Sequence, residues 1–171
     1  MELTDLGWDE GFADGFAPFA ERGLVPARVV RQLRDLSTVV TTLGEIEAEV
    51  SGKFRHEAAG PAGYPAVGDW AALRMAEGGR AVIEALLPRR SAFTRKAAGE
   101  AVEAQVVAAS IDTVFLVSGL DGDFNLRRIE RYVTTAWSSG ARPVLVLNKA
   151  DLRTDLPDVA AAAAAVAPDV P

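Results

Sequence analysis

The chain has 171 residues, 49% hydrophobic and 25% charged, with a mean hydropathy of +0.12, which is enough apolar material for one large domain or two small ones and excludes a chain disordered throughout. Eighteen basic against twenty-four acidic residues leave a net charge of −6, so bulk charge does not hold the molecule on nucleic acid and any contact with a polyanion is local. The absence of cysteine and the single histidine, His56, exclude disulfides, a thiolate nucleophile, zinc bound through thiolates and any two-histidine metal site.

No run approaches the roughly 18 apolar residues of a membrane helix, and the N-terminus is acidic where a signal peptide is basic and then apolar. The expectation is a cytoplasmic, monomeric protein with no membrane contact. Residues 1–24 carry six acids (Glu2, Asp5, Asp9, Glu10, Asp14 and Glu21) and one base, Arg22. Trp8, Phe12, Phe16 and Phe19 recur at spacings of three or four, which predicts a short helical arm with an aromatic face. Gly11 and Gly15 weaken it in isolation, so the arm needs the rest of the protein to hold it.

From Val25 onward, short stretches rich in valine, threonine and isoleucine alternate with turn residues, the texture of a small all-β unit. The predicted strands are Val25–Gln32, Ser37–Thr42, Glu45–Ser51, Trp70–Met75 and Arg80–Leu87, with tight turns at Leu43-Gly44 and Gly78-Gly79. The third alternates acid and apolar residue throughout, so one face meets a core and the other meets water. Lys53–Gly68, with its glycines and prolines, is too loose for a strand. Five short strands with a long loop after the third match the OB-fold barrel; a five-stranded SH3-like barrel has the same strand count.

Pro88 ends the barrel, giving bounds of 25–90, and residues 91–111 read as a connector. Its basic run starts at Arg89 and puts Arg89, Arg90, Arg95 and Lys96 within eight residues. From 112 the texture becomes α/β. Asp112–Val117 is a continuous apolar run predicted to be a buried strand, a helix follows over about Phe124–Ser139, and Pro143–Leu147 is a second buried strand. Asp123 is the expected N-cap, Leu126, Ile129, Val133 and Trp137 form the expected apolar face, and Gly140 stops the helix. Together they make a βαβ unit with a parallel sheet. The alanine-rich segment from Asp155 to Ala167 begins a further helix.

The residues that carry chemistry stand where the second strand ends: Asn148, Lys149, Ala150 and Asp151. Ligands of open α/β sheets sit beyond the carboxyl ends of the strands. A carboxylate there accepts two hydrogen bonds from the ring N–H and exocyclic amine of guanine, asparagine bridges base edge and loops, and a lysine stem lies along the flat of the ring. A polar strand-to-loop turn without ligand is the plainer alternative.

These parts in this order (Leu87-Pro88-Arg89-Arg90-Ser91, then Asp112–Val117, Asp123-Phe124-Asn125 and Val146-Leu147-Asn148-Lys149-Ala150-Asp151) resemble the circularly permuted GTPases of small ribosomal subunit biogenesis, the ribosome small-subunit-dependent GTPase A family. The resemblance covers roughly residues 25 to 155. It implies an all-β OB-fold barrel followed by the start of an α/β circularly permuted P-loop-type GTPase domain, whose guanine motif precedes its phosphate motifs. It implies GTP with Mg2+ as cofactors, hydrolysis of GTP, and a role in late assembly of the 30S subunit through contact with ribosomal RNA. It also implies a zinc-binding C-terminal domain, for which this chain has no cysteine.

No Gly-x-x-x-x-Gly-Lys-Ser/Thr occurs in the sequence, so nothing in it cradles phosphates or binds magnesium. The expectation is the N-terminal part of a longer enzyme, inactive in hydrolysis alone, with residues 112–171 the guanine-reading portion of its GTPase domain and no catalytic residue in this chain. An RNA-binding OB-fold protein without nucleotide chemistry is the alternative. Candidates for RNA are Arg89, Arg90, Arg95 and Lys96 with Phe93 as a stacking ring, and Arg28, Arg31, Lys53 and Arg55 on the barrel, since OB barrels bind over the second and third strands. A solvated linker and ordinary strand-edge charges account for the same residues without RNA. Asp121–Asn125 opens like a calcium loop, but Leu126 and Tyr132 stand where glycine and glutamate are needed, and His56-Glu57 has no second histidine to complete a zinc motif.

Overall fold

Alternating burial along the β-branched segments closes five strands on one another. The computed structural model describes residues 1–33, 36–96 and 104–171, which form two compact units, 1–110 and 111–171. In the first, β1 (Val25–Leu33), β2 (Leu36–Thr41), β3 (Gly44–Val50), β4 (Trp70–Met75) and β5 (Ala81–Leu86) close into a barrel of order β1-β2-β3-β5-β4. β4 closes back onto β1 antiparallel, while β3 and β5 run parallel. That order is the OB-type barrel. Inward-facing Val29, Val39, Ala48, Leu73 and Ile83 are its core, and the acids of β3 (Glu45, Glu47 and Glu49) all point outward.

The predicted loop after β3 opens with a helix, α2 (Gly52–Glu57), whose first turn is capped by Ser51 accepting from the Phe54 N–H at 3.0 Å. His56 lies in its last turn. The rest of the loop is stapled by Arg89. Its guanidinium donates to both Asp69 carboxylate oxygens at 2.7 Å and to the carbonyls of Ala62 and Tyr64 at 2.6 and 2.8 Å. Asp69 is fully buried and also accepts the Ala66 N–H at 2.8 Å.

The aromatic arm is α1 (Glu10–Ala20). Phe12 and Phe16 pack with Trp70 and Leu87, and Trp8 meets Trp70 edge-on with centroids 4.6 Å apart. Asp9 caps α1 by accepting the Phe12 N–H at 3.1 Å, and both its oxygens accept from the Arg90 guanidinium, which also lies 3.8 Å over the Phe12 ring. The hydrogen bond from Arg90 is the first cause that holds the Asp9 carboxyl at about 2, below its ordinary 3.8. A depressed folded-state pKa gives stability that is present above the unfolded value and lost as pH falls through the folded one. The melting temperature of the first unit is therefore expected to fall between about pH 4 and pH 2 more steeply in the wild type than in Asp9→Asn; parallel profiles from thermal melts across that window would remove the pair from the account.

Residues 97–103 of the expected connector lie outside the described residues, and its described parts are a correction. Ala92–Lys96 is β6, paired antiparallel with β7 (Ala104–Ala109) inside the first unit. The Ala109 N–H donates to the Val67 carbonyl at 2.8 Å, and Ala66, Val106 and Ala109 form a small core between hairpin and loop. Gly68 makes that approach possible: at φ 93° a Cβ there would lie 2.0 Å from the Ala109 carbonyl oxygen, which no side chain tolerates.

In the second unit, β8 (Thr113–Gly119) and β9 (Arg142–Asn148) pair parallel, joined by α3 (Leu126–Ser139). α4 (Leu156–Val166) follows. Leu116 and Leu145 pack under Ile129, Val133 and Ala167. β8 is thus covered on one face only, and the expectation of full burial is corrected: Phe115 is 66% and Val117 63% exposed, while Val144 to Leu147 of β9 are half-buried. The buried face of α3 is Ile129, Val133 and Ala136, with Trp137 turned out at 49% exposure. Its N-cap is Asn125, whose Oδ1 accepts the Arg128 N–H at 3.0 Å, in place of Asp123; Asp123 instead accepts from the Arg128 side chain at 2.9 Å. Gly140, at φ 89°, ends the helix as predicted.

Candidate guanine-recognition site

In-register pairing brings the carboxyl ends of β8 and β9 level, Gly119 opposite Asn148, and the Leu120 N–H extends the ladder to the Asn148 carbonyl at 2.8 Å. The loops that leave the two strands start side by side. Asn148 Oδ1 accepts the Lys149 N–H at 2.8 Å, so its side chain shapes the turn out of the strand. Lys149 adopts the left-handed conformation, φ 60° and ψ 39°, uncommon for a residue with a Cβ. A single 3-10 turn over Ala150–Leu152 follows.

The Lys149 ammonium reaches across to the carboxylate of Asp121 in the loop after β8. Asp121 stood out in the sequence only as the first acid of a calcium-loop pattern that Leu126 and Tyr132 break; the signal for its place here is the parallel pairing itself, which makes the first loop residues of neighbouring strands meet. Hydrogen bonding to Asp121 is the main cause that holds Lys149 above its ordinary range, with coulombic help from Asp121, Asp123 and Asp151. The same bond holds the Asp121 carboxyl below its ordinary value. Asp151 is exposed, and among the described residues no hydrogen bond or ion pair engages its carboxylate. The site therefore offers a fixed asparagine, a lysine stem anchored at its far end and an acceptor pair facing solvent, beyond the ends of parallel strands.

Residues 86–168 match the RsgA GTPase family. The small ribosomal subunit biogenesis GTPase RsgA of Opitutus terrae is 50% identical over 164 residues, which are 91% of this chain and 45% of the relative. The protein of the same name numbered 2 in Lactiplantibacillus plantarum is 48% identical over 151 residues, 88% of this chain and 43% of the relative.

Over most of its length the chain is similar to the RsgA GTPases.

It spans less than half the length of these curated relatives. Among solved structures, YjeQ from Thermotoga maritima matches with a TM-score of 0.64 and 26% identity over 81% of this chain and 46% of its own. YloQ, described as a circularly permuted GTPase, matches with a TM-score of 0.63 over 83% of this chain and 47% of its own, and at 17% identity it speaks to fold alone. The barrel and the βαβ unit thus match about half of the fold of each of these two structures.

The residues expected to meet RNA divide into two sets. Arg28 donates to the carbonyls of Leu6 and Ser110 at 2.7 and 2.8 Å and lies 5.2 Å from the Trp70 ring. With Arg89 on Asp69 and Arg90 on Asp9, it is committed to internal contacts. Arg31, Arg55 and Lys53 are exposed, Lys53 within 3.8 Å of Glu57. Phe93 is half-buried on β6. Arg95 and Lys96 belong to β6 by backbone, and their side chains lie outside the described part of the structure. The outer face of β3 carries Glu45, Glu47 and Glu49, a surface that repels phosphate.

Proposed function

We propose that this chain is the ribosome-docking and guanine-reading part of a GTP-hydrolysing factor that acts in late assembly of the small (30S) ribosomal subunit, in the cytoplasm. The observation that carries the guanine half is the exposed, unpaired Asp151 carboxylate beside a fixed Asn148 and an anchored Lys149. Phosphate cradling and Mg2+ binding fall to residues outside this sequence, and so does hydrolysis. Among the described residues no group of three or more histidines, cysteines, aspartates or glutamates is arranged to hold a metal, and with no cysteine in the chain these residues do not fit zinc either.

Without phosphate contacts, recognition of the base alone is expected at affinities on the order of millimolar. Titration of the 15N-labelled chain with GMP should shift the amide signals of residues 148–151, and AMP should leave them in place. Equal responses to both, or none to either, would favour an RNA-binding barrel without nucleotide chemistry.

Docking on the small subunit is assigned to the exposed basic residues Arg31, Lys53 and Arg55, because a net-acidic protein concentrates its phosphate contacts. Reversing the three to glutamate is expected to weaken co-sedimentation with purified 30S subunits by about tenfold or more, and to lower the slope of log affinity against log salt by about 2 to 3. Reversal of Arg127, exposed on α3, is the control. Equal losses from both would take the barrel residues out of the assignment.

A further inference from the structure

We infer that Asp121 is a positioning residue for guanine recognition: its carboxylate anchors the Lys149 ammonium, and so holds the lysine stem as a fixed wall for the flat face of the base. The inference rests on the guanine reading above and adds to it a residue from the loop after β8.

The Asp121 side chain is itself held. Its Oδ1 accepts the Asp123 N–H at 3.2 Å and lies 3.0 Å from where a Cβ on Gly119 would stand, so the carboxylate folds back over the end of β8. Oδ2 is the atom that receives the Lys149 ammonium. Asp123, the next acid, is occupied by the Arg128 guanidinium at 2.9 Å, which leaves Asp121 as the carboxylate paired with Lys149 among the described residues. At its other end Lys149 has a left-handed backbone shaped by Asn148. A lysine fixed at both ends loses the rotamer freedom that a free side chain gives up on binding, and its apolar stem is presented to the ligand at lower entropic cost. Asp151 reads the base edge and Lys149 covers its face, so Asp121 acts on affinity and leaves discrimination between bases to Asp151.

The test is a GMP titration of the 171-residue chain by amide chemical shifts, in wild type, Asp121→Asn, Lys149→Met and the double variant. Asparagine at 121 keeps an oxygen for the Asp123 N–H and removes the charge, so the turn is retained; unchanged melting of the second unit checks that. Asp121→Asn is expected to weaken GMP about three- to fivefold with the preference for GMP over AMP intact, and to have no further effect in the Lys149→Met background. Wild-type affinity in Asp121→Asn, or an equal loss in the Lys149→Met background, would overturn the positioning role while leaving the guanine reading standing. A wild-type chain without response to GMP would overturn the guanine reading, and the inference with it.

Discussion

Arg89→Ala is expected to destabilise the first unit by about 3–5 kcal/mol, the usual cost of removing one partner of a buried ion pair. Asp69 is fully buried and Arg89 is largely so, and the arginine forks across both carboxylate oxygens. Truncation leaves the carboxylate with the Ala66 N–H as its remaining donor among the described residues and strips the carbonyls of Ala62 and Tyr64 of the arginine's hydrogen bonds. The loop after α2 loses its staple in the same step. Urea unfolding followed by amide signals of the barrel measures the loss. The double variant Arg89→Ala/Asp69→Asn removes the stranded charge and should recover part of it, because much of the cost of the single change is the unpaired carboxylate. A single variant within about 0.5 kcal/mol of wild type, the range of ordinary surface substitutions, would mean that Arg89 is available to an outside partner after all.

The barrel strands were legible in the sequence to within a residue or two because turn residues bound most of them, and Glu45 to Val50 writes the alternation of a wet and a dry face directly. The β6–β7 hairpin carries no such pattern. Ala92–Lys96 is mostly polar, and Ala104–Ala109 is mostly alanine and valine, so periodicity has little to act on, and a run of positive charge reads as a linker. Charge alone also does not say what a guanidinium faces: the partners of Arg89 and Arg90 lie 20 and 81 residues away, and nothing local announces them. On β8 the reverse problem arises. A continuous apolar run such as Thr113–Val117 shows that both faces are hydrophobic and does not say which is covered, so the exposure of Phe115 and Val117 had no sequence signal. The stretch Asn148 to Asp151 stood out in the sequence because its residues are contiguous. The contact of Asp121 with Lys149 did not, since the two stand 28 positions apart and only the parallel pairing joins them.

Asp151→Asn is expected to invert nucleotide preference from GMP to XMP. The carboxylate accepts from the guanine N1–H and exocyclic amine, whereas xanthine presents a carbonyl oxygen in place of that amine. An asparagine amide donates to that oxygen while its own carbonyl still accepts from N1–H. Each charge-assisted hydrogen bond is worth roughly 1.5 to 3 kcal/mol, and the wrong pairing sets two acceptors or two donors against each other. The ratio of the two affinities should therefore change by about a hundredfold or more. Because Asp151 is exposed and sits in a single 3-10 turn, the substitution should leave melting of the second unit close to wild type, so a change in preference is separable from a change in folding. If Asp151 only shapes the turn, the ratio of GMP to XMP affinity stays put while stability drops, and amide-shift titrations of both nucleotides against wild type and variant tell the two outcomes apart.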